Sequence, residues 1–425
     1  MAKHLKLFEN HTDYAAFIQT EDFIRPNVSH CVNENDVHYN PIPHDYSKDY
    51  LTFVVKENGT ISFNIWKSMG TDMITSISYS TDNGETWTTT QNTNDKTEHL
   101  VIDVNVNEGD KVLWKGTATQ TGYYDEDDYA DNVGSFFSSD CAFNAKGNVM
   151  SLLYGDNFKG KTTLEHEGQF TCLFSDYDGE KTCKIVNAKN LSLPATTLAN
   201  ACYVRMFNGC TSLTTAPELP ATTLANGCYF AMFYNCTSLV NAPELPAQVM
   251  QYRCYSSMFK GCTSLVTAPV LPATTLANDC YQYMFNGCTS LTTAPELPAT
   301  TLAESCYSSM FNGCTSLTTA PELPATTLAN YCYQYMFQGC TSLTTAPELP
   351  ATTLANSCYS GMFQGCTSLN YIKAMFTTTP SDAYTKNWVN GVSATGTFVK
   401  NSAASWTTTG VHGIPEGWTI ETASA

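Results

Sequence analysis

The chain has 425 residues and a formal net charge of −18. That length exceeds one ordinary core and calls for several domains or a long repeat array. The acidic balance argues against nucleic acid or an anionic membrane surface as the main partner, because both need a Lys/Arg-rich face.

Residues 1–50 read as an N-terminal anchoring arm. Its segment "RPNVSHCVNENDVHYNP" has the composition of an extended loop that orders on a partner. The opening "MAKHLKLFENHTDYAAF" lacks the apolar run of a secretory leader, and no stretch of the sequence is apolar enough to span a bilayer. His30, Cys31, His38 and His44 are nominal metal ligands in the arm, and the C-x7-C cysteines of the repeats further on lack the short paired spacing of zinc sites, so no metal or other cofactor is expected.

Residues 51–155 carry the runs "LTFVV", "TISFNIW", "ITSISYS", "HLVIDVNV" and "KVLWKG", separated by the turns "KENG", "DNGE" and "NEGD". The pattern predicts an all-β sandwich of immunoglobulin-like size. Within it, "STDNGETW" places Ser80, Asp82, Gly84, Thr86 and Trp87 at hairpin-turn spacing. The acidic stretch "YYDEDDYAD" at 123–131 reads as a solvated loop, since it lacks the Gly-pinned geometry of a calcium loop.

Residues 156–190 look like a worn repeat that caps the N-terminal end of a repeat array. From 191 to 372 Leu-Pro recurs at 193, 219, 245, 271, 297, 323 and 349, a strict period of 26 residues over seven coils, which predicts a solenoid. This region holds 7 acids against 3 bases, a nearly uncharged surface. Each coil contains C-Y-x-x-M-F-x-x-C, from Cys202–Cys210 to Cys358–Cys366, and these two columns hold 14 of the 18 cysteines.

The constant residues Cys202, Tyr203, Met206, Phe207 and Cys210 fit one face of a short helix or 3₁₀ turn, with the variable positions 201, 204, 205 and 208 on the outer face. A short strand is expected around Leu213 to Ala216, so that the coils stack into a narrow parallel sheet about 35 Å long at roughly 4.8 Å per strand. If 202–210 is helical, its two cysteines lie about 12 Å apart, too far for a disulfide. Buried thiols are favoured, with bridges between stacked coils geometrically open. Residues 373–425 should close the far end, with Trp388, Trp406 and Trp418 as capping anchors.

The repeat "MFNGCTSLTTAPELP" resembles the BspA-like leucine-rich repeats of bacterial surface proteins. Phe207, Cys210, Ser212, Leu213, Ala216 and Pro220 sit where that pattern has them; the longer period, the Met before Phe and the Ala-Pro pair depart from it. The arm is similar in style to the start of proteins encoded by phages and prophages of gut Bacteroidetes, which implies release by lysis. "STDNGETW" matches the Asp-box pattern S-x-D-x-G-x-T-W, which implies a β-hairpin turn and no catalytic role.

No G-x-S-x-G, H-E-x-x-H or Gly-rich phosphate loop is present, so no enzyme is expected. A constant interior with a changing outer side is the organisation of a recognition scaffold. Arg205, Asn208, Phe230, Tyr234, Lys260, Tyr283, Tyr331 and Tyr335 are the receptor-binding candidates, because aromatic and amide side chains suit adaptable surfaces. The invariant threonines, Thr214 and Thr215 with their equivalents, offer a second face to a glycan or a neighbouring subunit. The resulting expectation is a phage virion protein that docks on capsid or tail proteins through residues 1–50 and presents its solenoid to a host-surface glycan or protein. A homo-oligomer is possible in that setting. A bacterial cell-surface adhesin is the alternative, and a purely structural virion decoration the third reading.

Overall fold

The computed structural model describes residues 44–65, 74–91, 100–122, 134–175 and 181–423. Most of the expected arm, with His30, Cys31 and His38, and the acidic stretch 123–131 lie outside these residues. Among the described residues two sheets form the N-terminal part. One has three strands in the order β5-β2-β7, with β2 at Gly59–Ile65, β5 at Leu100–Val106 and β7 at Phe136–Ser139.

The other has six strands in the order β4-β3-β6-β1-β8-β9. These are β1 Leu51–Val55, β3 Ile74–Ser80, β4 Thr88–Gln91, β6 Lys111–Ala118, β8 Phe143–Asn148 and β9 Ile185–Ser192. Alternating apolar residues from both sheets meet face to face. Phe53 of β1 lies 4.7 Å from Phe137 of β7, and Phe137 lies 5.0 Å from Trp114 of β6.

The β3–β4 connection is the "STDNGETW" hairpin. The amide of Gly84 donates to Ser80 Oγ at 2.9 Å and that of Thr86 to Asp82 Oδ1 at 2.9 Å. The hydroxyls of Ser80 and Thr86 hold the exposed Asp82 carboxyl well below the usual carboxylate range. Trp87 lies against Tyr50, 5.1 Å away, and under the ammonium of Lys115 at 4.1 Å.

The six-stranded sheet runs across the division set at residue 155 from the sequence. Strand β9 pairs in parallel with β8, and its Asn187 then bridges Thr215 of the first coil. The interiors are continuous as well. Phe174 packs on Phe137 at 5.7 Å on one side and on Phe207 at 5.1 Å on the other.

Residues 202–210 are not a helix. The backbone is a ribbon of overlapping turns in which every fourth residue has positive φ: Ala201, Arg205 and Gly209 in the first coil, then Gly227, Ala231 and Asn235 in the second. Alternate amides bond differently. Val204, Met206, Asn208 and Cys210 donate to the carbonyl three residues back, whereas Tyr203, Arg205, Phe207 and Gly209 donate to Cys228, Phe230, Met232 and Tyr234 of the next coil. Half the amides therefore hold the turn and half hold the stack, and a helix, which closes its bonds within itself, would leave the coils joined only by side chains.

The four-residue strand expected near Leu213 is also narrower. Pro217 follows within two residues of Thr215, and the coils pair there through single bridges: Thr215 to Asn241, Asn241 to Thr267, Thr267 to Thr293 and Thr293 to Thr319.

Side chains stack coil on coil. Tyr203, Tyr229, Tyr255, Tyr281, Tyr307, Tyr333 and Tyr359 form one column of parallel rings, with Tyr203 and Tyr229 at 5.6 Å and 5°. Phe207 to Phe363 form a second. Offset parallel rings at this separation contribute about 0.5–1.5 kcal/mol per pair beyond burial. At the far end Trp388 receives the amide of Phe363 and anchors its indole on the carbonyl of Gly413 at 2.9 Å. The parallel strands β10 Tyr371–Ala374, β11 Thr397–Lys400 and β12 Thr419–Thr422 finish the stack, with Trp406 and Trp418 buried beside them. Among the described residues no helix is long and apolar enough to cross a membrane.

Candidate recognition surface

The turn ribbon alternates pairs of constant, inward residues with pairs of variable ones. Cys202 and Tyr203 point inward, then Met206 and Phe207, then Cys210, all buried. The variable residues lie between these pairs, and they do not form an exposed outer face. Ala201 and Val204 are fully buried, and all eight candidate residues, from Arg205 to Tyr335, are half-buried. The reason is the ribbon's flatness: residues one coil apart lie side by side, so each variable side chain packs against its column neighbours.

Three of the candidates come together. The Lys260 ammonium lies 5.5 Å from the Tyr234 ring of the coil before and 5.0 Å from the Tyr283 ring of the coil after. A second pair joins Arg205, whose guanidinium is 5.9 Å from the Phe230 ring. Tyr331 and Tyr335 lie on a later coil, where Tyr331 Oη accepts from Asn356 Nδ2 at 3.1 Å and the Tyr335 ring covers Gly361. Among the described residues the Asn208 side chain makes no hydrogen bond or ring contact with the other candidates.

Further along the Asn208 column, Asn312 Nδ2 donates to Gln338 Oε1 at 2.7 Å and Gln338 Nε2 to Gln364 Oε1 at 2.9 Å. This amide ladder satisfies itself. Sequence reasoning passed over Arg253, which stacks on Tyr252 at 4.9 Å and pairs with Asp279 at 3.5 Å. The signal was present, because the two opposite charges stand one repeat apart in one column. Burial raises the Asp279 carboxyl, and the Arg253 charge opposes that rise.

The Thr214 column is exposed, and its hydroxyls follow the stack. Thr214 donates to the Val186 carbonyl at 2.9 Å and Thr318 to the Thr292 carbonyl one coil back at 3.3 Å. Val240 and Val266 interrupt this face and are 41% and 47% exposed.

The cysteines belong to the interior. All 17 described are free and buried. The thiols of Cys236, Cys262, Cys288, Cys314 and Cys340 each donate to a phenylalanine carbonyl of the preceding coil at 3.1 Å. Burial pushes Cys262 and Cys314 up to about 12, so they are protonated and unreactive at neutral pH. Without a helix over 202–210, helical rise does not set the Cys202–Cys210 separation. In its place, Cys202 faces the Cys228 carbonyl and Cys210 the Phe174 carbonyl, in separate columns. Among the described residues no three His, Cys, Asp or Glu side chains converge as metal ligands.

Residues 181–317 and 255–387 match, in six copies, the family described as BspA type leucine rich repeat region. The array is thus a BspA-like leucine-rich-repeat region; its coils stack as a solenoid, with overlapping turns in place of the expected helical turns. No curated protein and no solved structure matches the chain.

Proposed function

We propose that this chain, with its BspA-type repeat region, is a non-enzymatic recognition protein of a surface, adhesion type. The observation that carries this reading is the alternating coil: an invariant stacked interior beside columns of changing aromatic, amide and basic residues, half-buried at fixed spacing. The strands β2 to β6 follow the order of immunoglobulin strands B, C, C′, E and F, with β2 beside β5 and β3 between β4 and β6, although β1 stands where the last strand would be. That supports reading the sandwich as an immunoglobulin-like spacer fused rigidly to the array.

Within this class we favour a virion protein that docks on capsid or tail proteins through residues 1–50 and turns its solenoid toward a host-surface glycan or protein. The character of the arm sequence supports that reading. A bacterial cell-surface adhesin is favoured instead by the family match alone. Mass spectrometry of purified particles tests the first, and absence of the chain from virions would sink it. Release of the chain by proteolysis of intact cells would support the second. Binding of the full chain to whole cells separates both from a purely structural decoration. The full chain is needed because Phe174 and Phe207 join the two cores, and a cut at residue 191 would expose them.

A further inference from the structure

The three basic residues of the array, Arg205, Arg253 and Lys260, all fall in its first three coils, and the later coils are near copies of one another. Arg253 is matched by Asp279. Lys260 is not matched: among the described residues no carboxylate pairs with its ammonium and no protein oxygen accepts from it, although it is half-buried. Two tyrosine rings hold the charge in place without neutralising it.

Three coils contribute to this arrangement through separate departures from the repeat. In its column Lys260 replaces an amide that would continue the ladder seen at Asn312, Gln338 and Gln364. Tyr234 is the one aromatic residue in that same column, and Tyr283 stands where the coils on either side have Ser257 and Ser309. Drift at one exposed position would not place a cation and its two flanking rings on three successive coils. The coil that carries Lys260 keeps its interior, with Cys254, Tyr255, Met258, Phe259 and Cys262 all buried, while its surface departs most from the repeat.

We infer that Lys260, with Tyr234 and Tyr283, is an anion-binding subsite for an acidic sugar unit, whose carboxylate or sulfate accepts from the ammonium. The surroundings carry hydroxyls and amides: the two phenols, Asn286 one coil on in the Lys260 column, and Asn235, whose Oδ1 lies over Gly261. These groups suit a saccharide's hydroxyls. This inference rests on the recognition reading and assigns its ligand class; the near-copy later coils then act as spacers.

The test uses the full chain with three probes: sialyllactose for a carboxylate, galactose 6-sulfate for a sulfate, and lactose as the neutral control, followed by ligand-observed NMR. Lys260→Asn and Tyr283→Ser restore residues that other coils already hold at these positions, so both variants should fold. Binding of one or both acidic sugars, little binding of lactose, and a loss of about tenfold or more in Lys260→Asn support the subsite. Tyr283→Ser should weaken binding by a few-fold.

Equal binding by Lys260→Asn, equal binding of lactose, or no acidic sugar bound overturns it. Whole-cell binding distinguishes the two levels. Cells bound as well by Lys260→Asn as by the unaltered chain leave recognition standing and remove the subsite, whereas an unaltered chain that binds neither cells nor sugars removes both.

Discussion

The thiol of Cys236 donates to the carbonyl oxygen of Phe207, 29 residues earlier, at 3.1 Å, and the same oxygen accepts the amide of Cys210. The second cysteine of each repeat is therefore a buried donor that ties one coil to the one before it. Cys236→Ala removes that donor and leaves a small void, and should cost about 1–2 kcal/mol in urea unfolding. An unchanged midpoint would mean the contact contributes nothing.

The same burial gives the array a predictable response to alkali. In the folded state Cys262 and Cys314 titrate near 12, whereas an exposed thiol does so at about 8.5. The folded chain thus keeps protons that the unfolded chain loses. The contribution to stability is complete below about pH 8.5 and declines as pH rises toward 12, by about 1.4 kcal/mol per thiol per pH unit. With two columns of thiols, reduced protein should lose its circular dichroism cooperatively soon after pH 9. A signal flat to pH 11 would contradict this account.

Gly339 and Gly361 both have positive φ, at 72° and 61°. Around Gly339 an added methyl meets only the Gly313 backbone at 3.8 Å, so Gly339→Ala should cost about 1 kcal/mol of backbone strain. At Gly361 the methyl would also overlap the Tyr335 ring. Gly361→Ala should therefore cost more and shift the Tyr335 resonances, which NMR of the two variants would compare.

Because alternate amides bond to the next coil, the array should accept deletion of one whole unit. Removing residues 284–309 joins Tyr283 to Met310 in the same register. The shortened chain should fold with a lower urea m-value, in proportion to the surface lost. Deleting half that segment should abolish cooperative unfolding, because columns of unlike residues would then meet.

The solenoid, its period and its interior were legible because seven copies repeat them. The conformation of the ribbon was not. Constant residues at offsets 0, 1, 4, 5 and 8 suit a helix face as well as a strict period of four, and only bonding between coils decides between them. One clue was present in the Gly209 column, glycine in six coils and Asn235 in the other, which fits a recurrent positive φ. Arg205, Tyr283 and Tyr335 take positive φ with a glycine in one coil of their column, Gly361, as the sole such clue, since neighbouring coils impose it. The variable residues were legible as a set. That three of them enclose a charge depends on lateral distances between coils, which the linear order does not carry.

The aromatic columns also make the molecule its own optical gauge. Tryptophans flank the array at Trp87 and Trp114 on one side and Trp388, Trp406 and Trp418 on the other, and none lies between, whereas the tyrosine column runs the whole distance to Tyr359, 6.3 Å from Trp388. Light absorbed by the coils should pass to the terminal indoles by energy transfer. The ratio of tyrosine to tryptophan emission during denaturation then reports whether the stack frays from its ends or parts in the middle.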